Sequence, residues 1–243
     1  MLFIFLSQVV FRAESINIYI KDLGELLGIQ ESYISDNKYR IDTRLILNRE
    51  RNISKFMEKY YAGNKSLIID LEKDSVYKID NDERSYYVYR FDSYIKPIEE
   101  EKGKRDIRLK FSIKDLKDCN YEMKFLFDND SIIAKVCYKD INVPSSQFFT
   151  NYNAKHKTEI DSRVFEKLSV FQLNNPLVKL LMSGTLKRND LEKILKIKGY
   201  PLSMEFNYYS DTSLIYRYSS KVYAVEKRES LDVFKIDSSY KLR

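Results

Sequence analysis

Histidine, tryptophan and cysteine are scarce in this sequence: its 243 residues include one histidine, no tryptophan and two cysteines. With His156 as the one imidazole, a histidine-based zinc site or a Ser-His-Asp triad has almost no material. Cys119 and Cys137 form no CxxC pair and neither require nor exclude an oxidising compartment. The sequence therefore predicts no metal site, no cofactor and no catalytic residue, and we expect a protein that is not an enzyme.

Flexible linkers are also disfavoured, because the chain has only 6 Gly and 4 Pro. Hydrophobic content of 44% with 32% charged residues is typical of a globular chain. The net charge of +6 is spread along the chain in short basic runs. A solvated surface is favoured over a nucleic-acid site, because a phosphate-binding surface requires clustered charge.

An apolar run, LFIFLSQVVF, occupies residues 2–11. It is too short to span a bilayer but has the length of a signal-peptide core, with a cleavage point after Ala13. No basic residue precedes it, and an upstream start codon would supply one. We expect residues 1–13 to be a signal segment and residues 14–243 a single exported domain. The alternative is an ordinary buried N-terminal strand.

Period-two alternation of apolar residues dominates the chain and predicts antiparallel strands. Residues 31–47 and 121–138 read as hairpins, with turns at Asp36-Asn37 and Asn129-Asp130, and residues 199–242 read as a meander of strands. Helical spacing predicts helices over residues 23–28, 49–61 and 163–197. Asp and Glu residues near residues 70–83 and 128–130 are interpreted as turn residues rather than as a catalytic pair.

The C-terminal stretch "GYPL.ME", followed by a hairpin and "VY.VEKRESLD.FKID..YKL", resembles the end of a lipoprotein-carrier-like (LolA-like) domain. The segment around Ile69, Asp70, Val76 and Tyr77 is similar to a central hairpin of that superfamily, in particular of an uncharacterised exported bacterial branch. The resemblance implies an α+β fold over nearly the whole mature chain. Its expected form is a strongly curved antiparallel half-barrel of about ten strands, with helices on the concave side.

One apolar face of this sheet is the candidate site, as either a packed core or the lining of a cavity. The resemblance favours a cavity that takes acyl chains. The expected lining residues are Phe125, Phe127, Val136, Tyr138, Met204, Phe206 and Tyr216. Arg40 is added because it matches in position the arginine that holds a helical lid in lipoprotein carriers.

The function that follows is binding of an amphiphile, either a lipid or a lipoprotein acyl chain, by a protein of the periplasm or cell envelope. Such a protein is peripheral to the membrane at most and binds no nucleic acid. The main alternative is an envelope protein-interaction module with a packed core. A third hypothesis, a cytoplasmic nucleic-acid-binding protein, requires a clustered basic face.

The two cysteines are expected to remain free thiols. A turn that places Asp128 opposite Ser131 puts Cys137 opposite Glu122 on the polar face and Cys119 on the apolar face. A disulfide requires side chains that converge, and residues on opposite faces of a sheet do not.

Overall fold

The structure of the protein is a computed structural model. It describes residues 8–48, 62–91, 110–118, 120–127, 129–141, 147–156, 162–167, 188–229 and 232–243.

Strands make up most of the described chain. They are β1 (Gln8–Ile20), β2 (Gly24–Ile34), β3 (Lys38–Leu47), β4 (Gly63–Asp70), β5 (Ser75–Asp80), β6 (Ser85–Arg90), β7 (Lys110–Asp115), β8 (Asn120–Phe127), β9 (Asp130–Lys139), β10 (Tyr200–Ser210), β11 (Ser213–Glu229) and β12 (Lys241–Leu242). Three described helices are α1 (Phe148–His156), α2 (Ser162–Lys167) and α3 (Arg188–Leu195).

All twelve strands belong to one sheet, in the order β12-β6-β5-β4-β3-β2-β1-β11-β10-β9-β8-β7. Neighbours run antiparallel except β12, which pairs with β6 in parallel. Strand β1 lies at the centre, between β2 and β11. The pairing of β1 with β11 therefore joins two antiparallel halves that are each largely sequential in the chain.

The prediction of an α+β half-barrel is wrong. The protein is mostly β, with 64% strand and 12% helix, and its strands form a single open sheet. Several strands are longer than the sequence indicated: β1 takes in the end of the N-terminal apolar run, and β11 continues over 17 residues. The expected helix over residues 23–28 is instead part of β2, where hydrogen bonding to β1 decides the conformation. Gly28 permits the close approach of β3, since a Cβ there would lie 1.9 Å from the Arg44 carbonyl oxygen.

Apolar side chains of alternate residues form the core on one face of the sheet, which we call the core face. Leu26, Phe125 and Phe206 are fully buried there. Each described helix contributes to the same core: Phe148 of α1 lies 5.5 Å from the Tyr39 ring, and Val164 of α2 and Ile194 of α3 have no exposed surface. The other face, the outer face, carries the residues between them.

The hairpin of β8 and β9 was predicted with the correct faces but the wrong register. Phe127 pairs with Asp130 and Tyr121 with Val136, which differs by two residues from the expected pairing. A shift of two leaves every side chain on its face, whereas a shift of one would not. The prediction that both cysteines are free thiols is wrong, because Cys137 is disulfide-bonded. The chain's other cysteine, Cys119, lies outside the described residues.

Residues 8–13 form the first half of β1 and pair with β11. The expected cleavage after Ala13 falls at a bulge, where Ala13 pairs with Ala224 and Glu14 with Val222. Whether the chain is cleaved there stays a prediction.

A candidate ligand-binding face

Six of the predicted lining residues lie together on the core face of β8 to β11. In one cross-strand row Phe125 pairs with Ile132, Ile132 with Tyr208, and Tyr208 with Tyr216. Phe206 belongs to the neighbouring row with Ala134 and Tyr218. Period-two alternation brings these side chains together, because strand pairing aligns residues of the same face. We call the region of Phe125, Val136, Tyr138, Met204, Phe206 and Tyr216 the aromatic region.

The aromatic region is tightly covered. Phe125, Val136 and Phe206 are 0% exposed, Met204 is 2% exposed and Tyr138 is 4% exposed, whereas Tyr216 is half-buried. Phe111 of β7 lies 4.9 Å from Phe125 between ring centroids. In this conformation the side chains form a packed core. Phe127 ends β8, and its side chain lies outside what the structure describes.

Helix α2 is held over this region by polar contacts at its C-terminal end. The Tyr138 hydroxyl donates a hydrogen bond of 2.5 Å to the carbonyl oxygen of Lys167. The Lys167 ammonium donates to the carbonyl oxygen of Gly199 and lies 5.7 Å from the centroid of the Tyr138 ring. Burial raises the pKa of the Tyr138 hydroxyl, which therefore stays protonated and able to donate. We call these two hydrogen bonds the α2 latch.

Arg40 is not near the aromatic region. It lies on β3 between Tyr39 and Ile41, which point into the core, so its side chain is on the outer face. There its Nε donates to Asp42 at 2.8 Å and its Nη1 donates to the carbonyl oxygen of Val233 at 2.6 Å. The backbone carbonyl that Arg40 binds therefore belongs to a turn of the C-terminal segment and not to a helix.

A buried polar cluster, which the sequence interpretation missed, lies on the core face at the centre of the sheet. Arg12 and Glu14 of β1 form an ion pair with 2.8 Å between Nη2 and Oε2. Gln30 of β2 donates to the other Glu14 oxygen at 2.7 Å, and Arg12 Nη1 donates to the Tyr200 hydroxyl at 2.9 Å. Arg12, Glu14 and Gln30 are each 2% exposed. We call these four residues the polar centre.

The electrostatics of the polar centre keep Arg12 charged. Burial by itself lowers the pKa of the guanidinium, but Glu14 and Tyr200 outweigh burial and raise this pKa above its ordinary value. Burial also raises the pKa values of Tyr39 and Tyr218. A signal for this cluster was present in the sequence, since Arg12 and Glu14 are two residues apart and so share a face of any strand that contains both.

Asp70 and Asp80 behave as the turn interpretation predicts. Asp70 Oδ1 accepts hydrogen bonds from the backbone N–H groups of Glu72 and Lys73, and Asp80 Oδ1 accepts from that of Glu83. Within the described ranges, no three His, Cys, Asp or Glu side chains are grouped so that they could hold a metal ion. Nor does any helix in that part of the chain have the length and apolar character needed to cross a membrane.

Comparison with protein-family models and with curated protein sequences finds no match for this chain. The resemblance to LolA-like domains therefore stays a prediction drawn from the quoted residues.

Proposed function

We propose that the protein binds the acyl chain of an amphiphile, a lipid or a lipoprotein, between the aromatic region and the helices that cover it. The observation that supports this is the gathering of six separately predicted apolar residues on one face beneath α2 and α3. Burial of an acyl chain against such a surface is favourable by roughly 25 cal/mol for each Å² of apolar area removed from water. The proposed role is binding and transport, without catalysis.

Entry of a ligand between α2 and the sheet requires α2 to move, because five of the six residues of the aromatic region are buried. The α2 latch is the part of the cover that a single substitution can loosen. Loss of the Tyr138 hydroxyl removes one hydrogen bond to Lys167 but leaves the ring in the core. Tyr138→Phe is therefore expected to speed entry without removing apolar surface.

The proposed location is the cell envelope, after export. Disulfide-bonded Cys137 supports it, because disulfides persist in oxidising compartments and are rare in reducing ones. The N-terminal residue of the protein purified from its own cells, measured by mass spectrometry, tests both export and the expected start near Glu14.

A fluorescent fatty acid tests binding. We expect wild type to take up the probe with a Kd of roughly micromolar order, about −8 kcal/mol, and Tyr138→Phe to take it up several-fold faster. The matched control is Tyr209→Phe, which deletes a hydroxyl from the opposite face of β10. Native mass spectrometry of protein from its own envelope identifies the bound species.

A protein-interaction module with a packed core is the second candidate, and the nearly complete burial of the aromatic region favours it. Uptake of the fluorescent fatty acid distinguishes the two functions. If wild type and Tyr138→Phe both remain folded and neither takes up the probe, the core is closed and the interaction module is the better proposal.

A further inference from the structure

Two groups of apolar side chains on the outer face of the described sheet differ in exposure: one is covered and the other is not. In the first half of β1, the outer-face residues Val9, Phe11 and Ala13 are at most 3% exposed. The guanidinium carbon of Arg228 lies 3.4 Å from the centroid of the Phe11 ring, and the Phe11 ring is 5.2 Å from that of Tyr33. The sheet therefore shields its outer apolar residues in this half.

Further along the same face, Leu27, Ile29 and Ile46 form a group that we call the Leu27 patch. Leu27 pairs directly with Ile46 across β2 and β3, and Ile29 is two residues from Leu27 on the same face. Their side chains are 36%, 37% and 68% exposed. Single exposed apolar residues are ordinary on a protein surface, but three neighbours on one face of a sheet form a contiguous patch.

Basic side chains flank the Leu27 patch. Arg44 pairs with Ile29 on β3, and Lys221 lies in the same cross-strand row on the other side of Ser15. Arg217 lies two rows from Lys221 on β11, and all three basic residues are exposed. The carboxylates nearest the patch on this face, Glu25, Glu31 and Asp42, are only partly exposed and already accept hydrogen bonds. Glu25 accepts from Asn17 and Asn48 at 2.9 Å each, Glu31 from Tyr33 at 3.3 Å and Asp42 from Arg40 at 2.8 Å.

We propose that the Leu27 patch docks the protein on an anionic lipid bilayer. The apolar side chains would enter the headgroup region, while Arg44, Lys221 and Arg217 would meet the lipid phosphates. The exposed charges beside the patch are positive, as is the net charge of +6, and both are complementary to such a surface. Each basic residue near an anionic membrane strengthens binding by about fivefold, and the effect fades beyond a Debye length of roughly 8–10 Å.

This proposal does not depend on ligand binding at the core face, because the Leu27 patch lies on the opposite face of the sheet. The two are also tested separately. Uptake of a soluble fatty acid needs no membrane, whereas docking is measured on vesicles that contain no probe. Either can fail while the other holds.

Sedimentation with vesicles tests the docking. The vesicles contain phosphatidylcholine alone or phosphatidylcholine with phosphatidylglycerol in equal parts. We expect wild type to bind the anionic vesicles, to leave the neutral ones unbound and to lose binding as salt is raised. Ile46→Asp should weaken partitioning by about tenfold or more, and Arg44→Gln by about fivefold. Thermal unfolding confirms that each variant folds.

Two substitutions on the same face serve as matched controls. Leu126→Asp changes an outer-face residue on β8 whose exposure, 44%, lies within the range of 36% to 68% found in the Leu27 patch. Lys135→Gln removes a positive charge that lies between Glu122 and Glu205 in its cross-strand row. Neither should alter partitioning by more than about twofold.

Three outcomes would overturn the proposal. One is no binding to anionic vesicles by folded wild type. Another is equal binding to neutral vesicles. The third is equal loss in Ile46→Asp and Leu126→Asp, which would indicate a diffuse rather than a local contact. Self-association of wild type that Ile46→Asp abolishes, without vesicle binding, would assign the patch to a second copy of the chain instead.

Discussion

The polar centre and the aromatic region share one face of one sheet and are equally buried, yet they are made of opposite chemistry. At the aromatic region, side chains such as Phe125 and Phe206 need only volume and shape to pack. At the polar centre, Arg12 and Glu14 each depend on a particular partner atom. Buried apolar groups tolerate replacement by others of similar size, whereas a buried charge whose partner is removed is strongly unfavourable. At the polar centre, stability should therefore depend on whether a substitution removes a charge. At the aromatic region, it should depend on how much a substitution changes the side-chain volume.

Removal of residues 1–13 is expected to have the largest effect. It deletes Arg12 and leaves Glu14 without its cation, and it also deletes Val9, Val10 and Phe11, which are buried. Each buried side chain of this kind contributes about 1.5–3 kcal/mol, so the loss should exceed ~5 kcal/mol and approach the whole stability of a domain. Urea denaturation of the truncated and full chains measures it. A truncated chain as stable as the full one is what the expected cleavage after Ala13 requires, and it would show that the polar centre is dispensable.

Arg12→Leu should come next, with a loss of about 3–5 kcal/mol, because Glu14 is left as an unpaired buried charge. The double variant Arg12→Leu, Glu14→Met removes both charges and should recover most of that loss. Chemical denaturation of the four proteins gives the coupling between the two sites. If the double variant loses as much stability as the two single variants together, Arg12 and Glu14 contribute independently and not as an ion pair.

Much of the sheet could be predicted from the sequence, because the period of two is local information. The faces of Phe125, Val136 and Phe206 follow from alternation alone, and the two-residue error in the β8–β9 register left them unchanged. The disulfide prediction failed for another reason: a shift of two keeps Cys137 on the same face, but β8 begins only at Asn120, so strand alternation does not assign a face to Cys119. The residue opposite Cys137 is Asn120.

The spacing of Arg12 and Glu14 is visible in the sequence, but their partners in the polar centre could not be predicted, because these depend on which strands become neighbours. Arg12 and Glu14 looked like residues at a cleavage site, since nothing local shows that β1 is central to the sheet. The partners Gln30 and Tyr200 come from β2 and β10. Leu23, Leu26 and Leu27 likewise fit a helix by spacing, and pairing with β1 decided otherwise. Arg40 shows the same limit, because its partner Val233 is 193 residues away.

High pH should lower the stability of the protein through buried tyrosines in both regions, by less than the two changes above. The pKa values of Tyr39, Tyr138 and Tyr218 are raised by burial, so in the folded protein these groups keep their protons above pH 10. The unfolded chain loses them near a pKa of about 10. Their contribution to stability is therefore complete below about pH 10 and falls above it, by ~1.4 kcal/mol per pH unit for each tyrosine.

Tyr39→Phe and Tyr138→Phe should each reduce this alkaline slope by a similar amount, although one lies beside the polar centre and the other in the aromatic region. Tyr223→Phe is the control, because Tyr223 is 60% exposed. Unfolding free energies measured from pH 8 to 11 give the slopes. Unequal reductions would show that local partners, rather than burial, set these pKa values.

Met204→Leu should have the smallest effect and gives the sharpest contrast with the polar centre. Met204 is 2% exposed in the aromatic region, and a swap of similar volume there should lower stability by less than about 1.5 kcal/mol. Glu14→Gln is also nearly isosteric, but it leaves Arg12 without its counter-charge and should lower stability by about 3 kcal/mol or more. Parallel urea denaturation of the two variants compares them. Equal losses would mean that packing governs both regions and that the chemistry of the polar centre does not distinguish it.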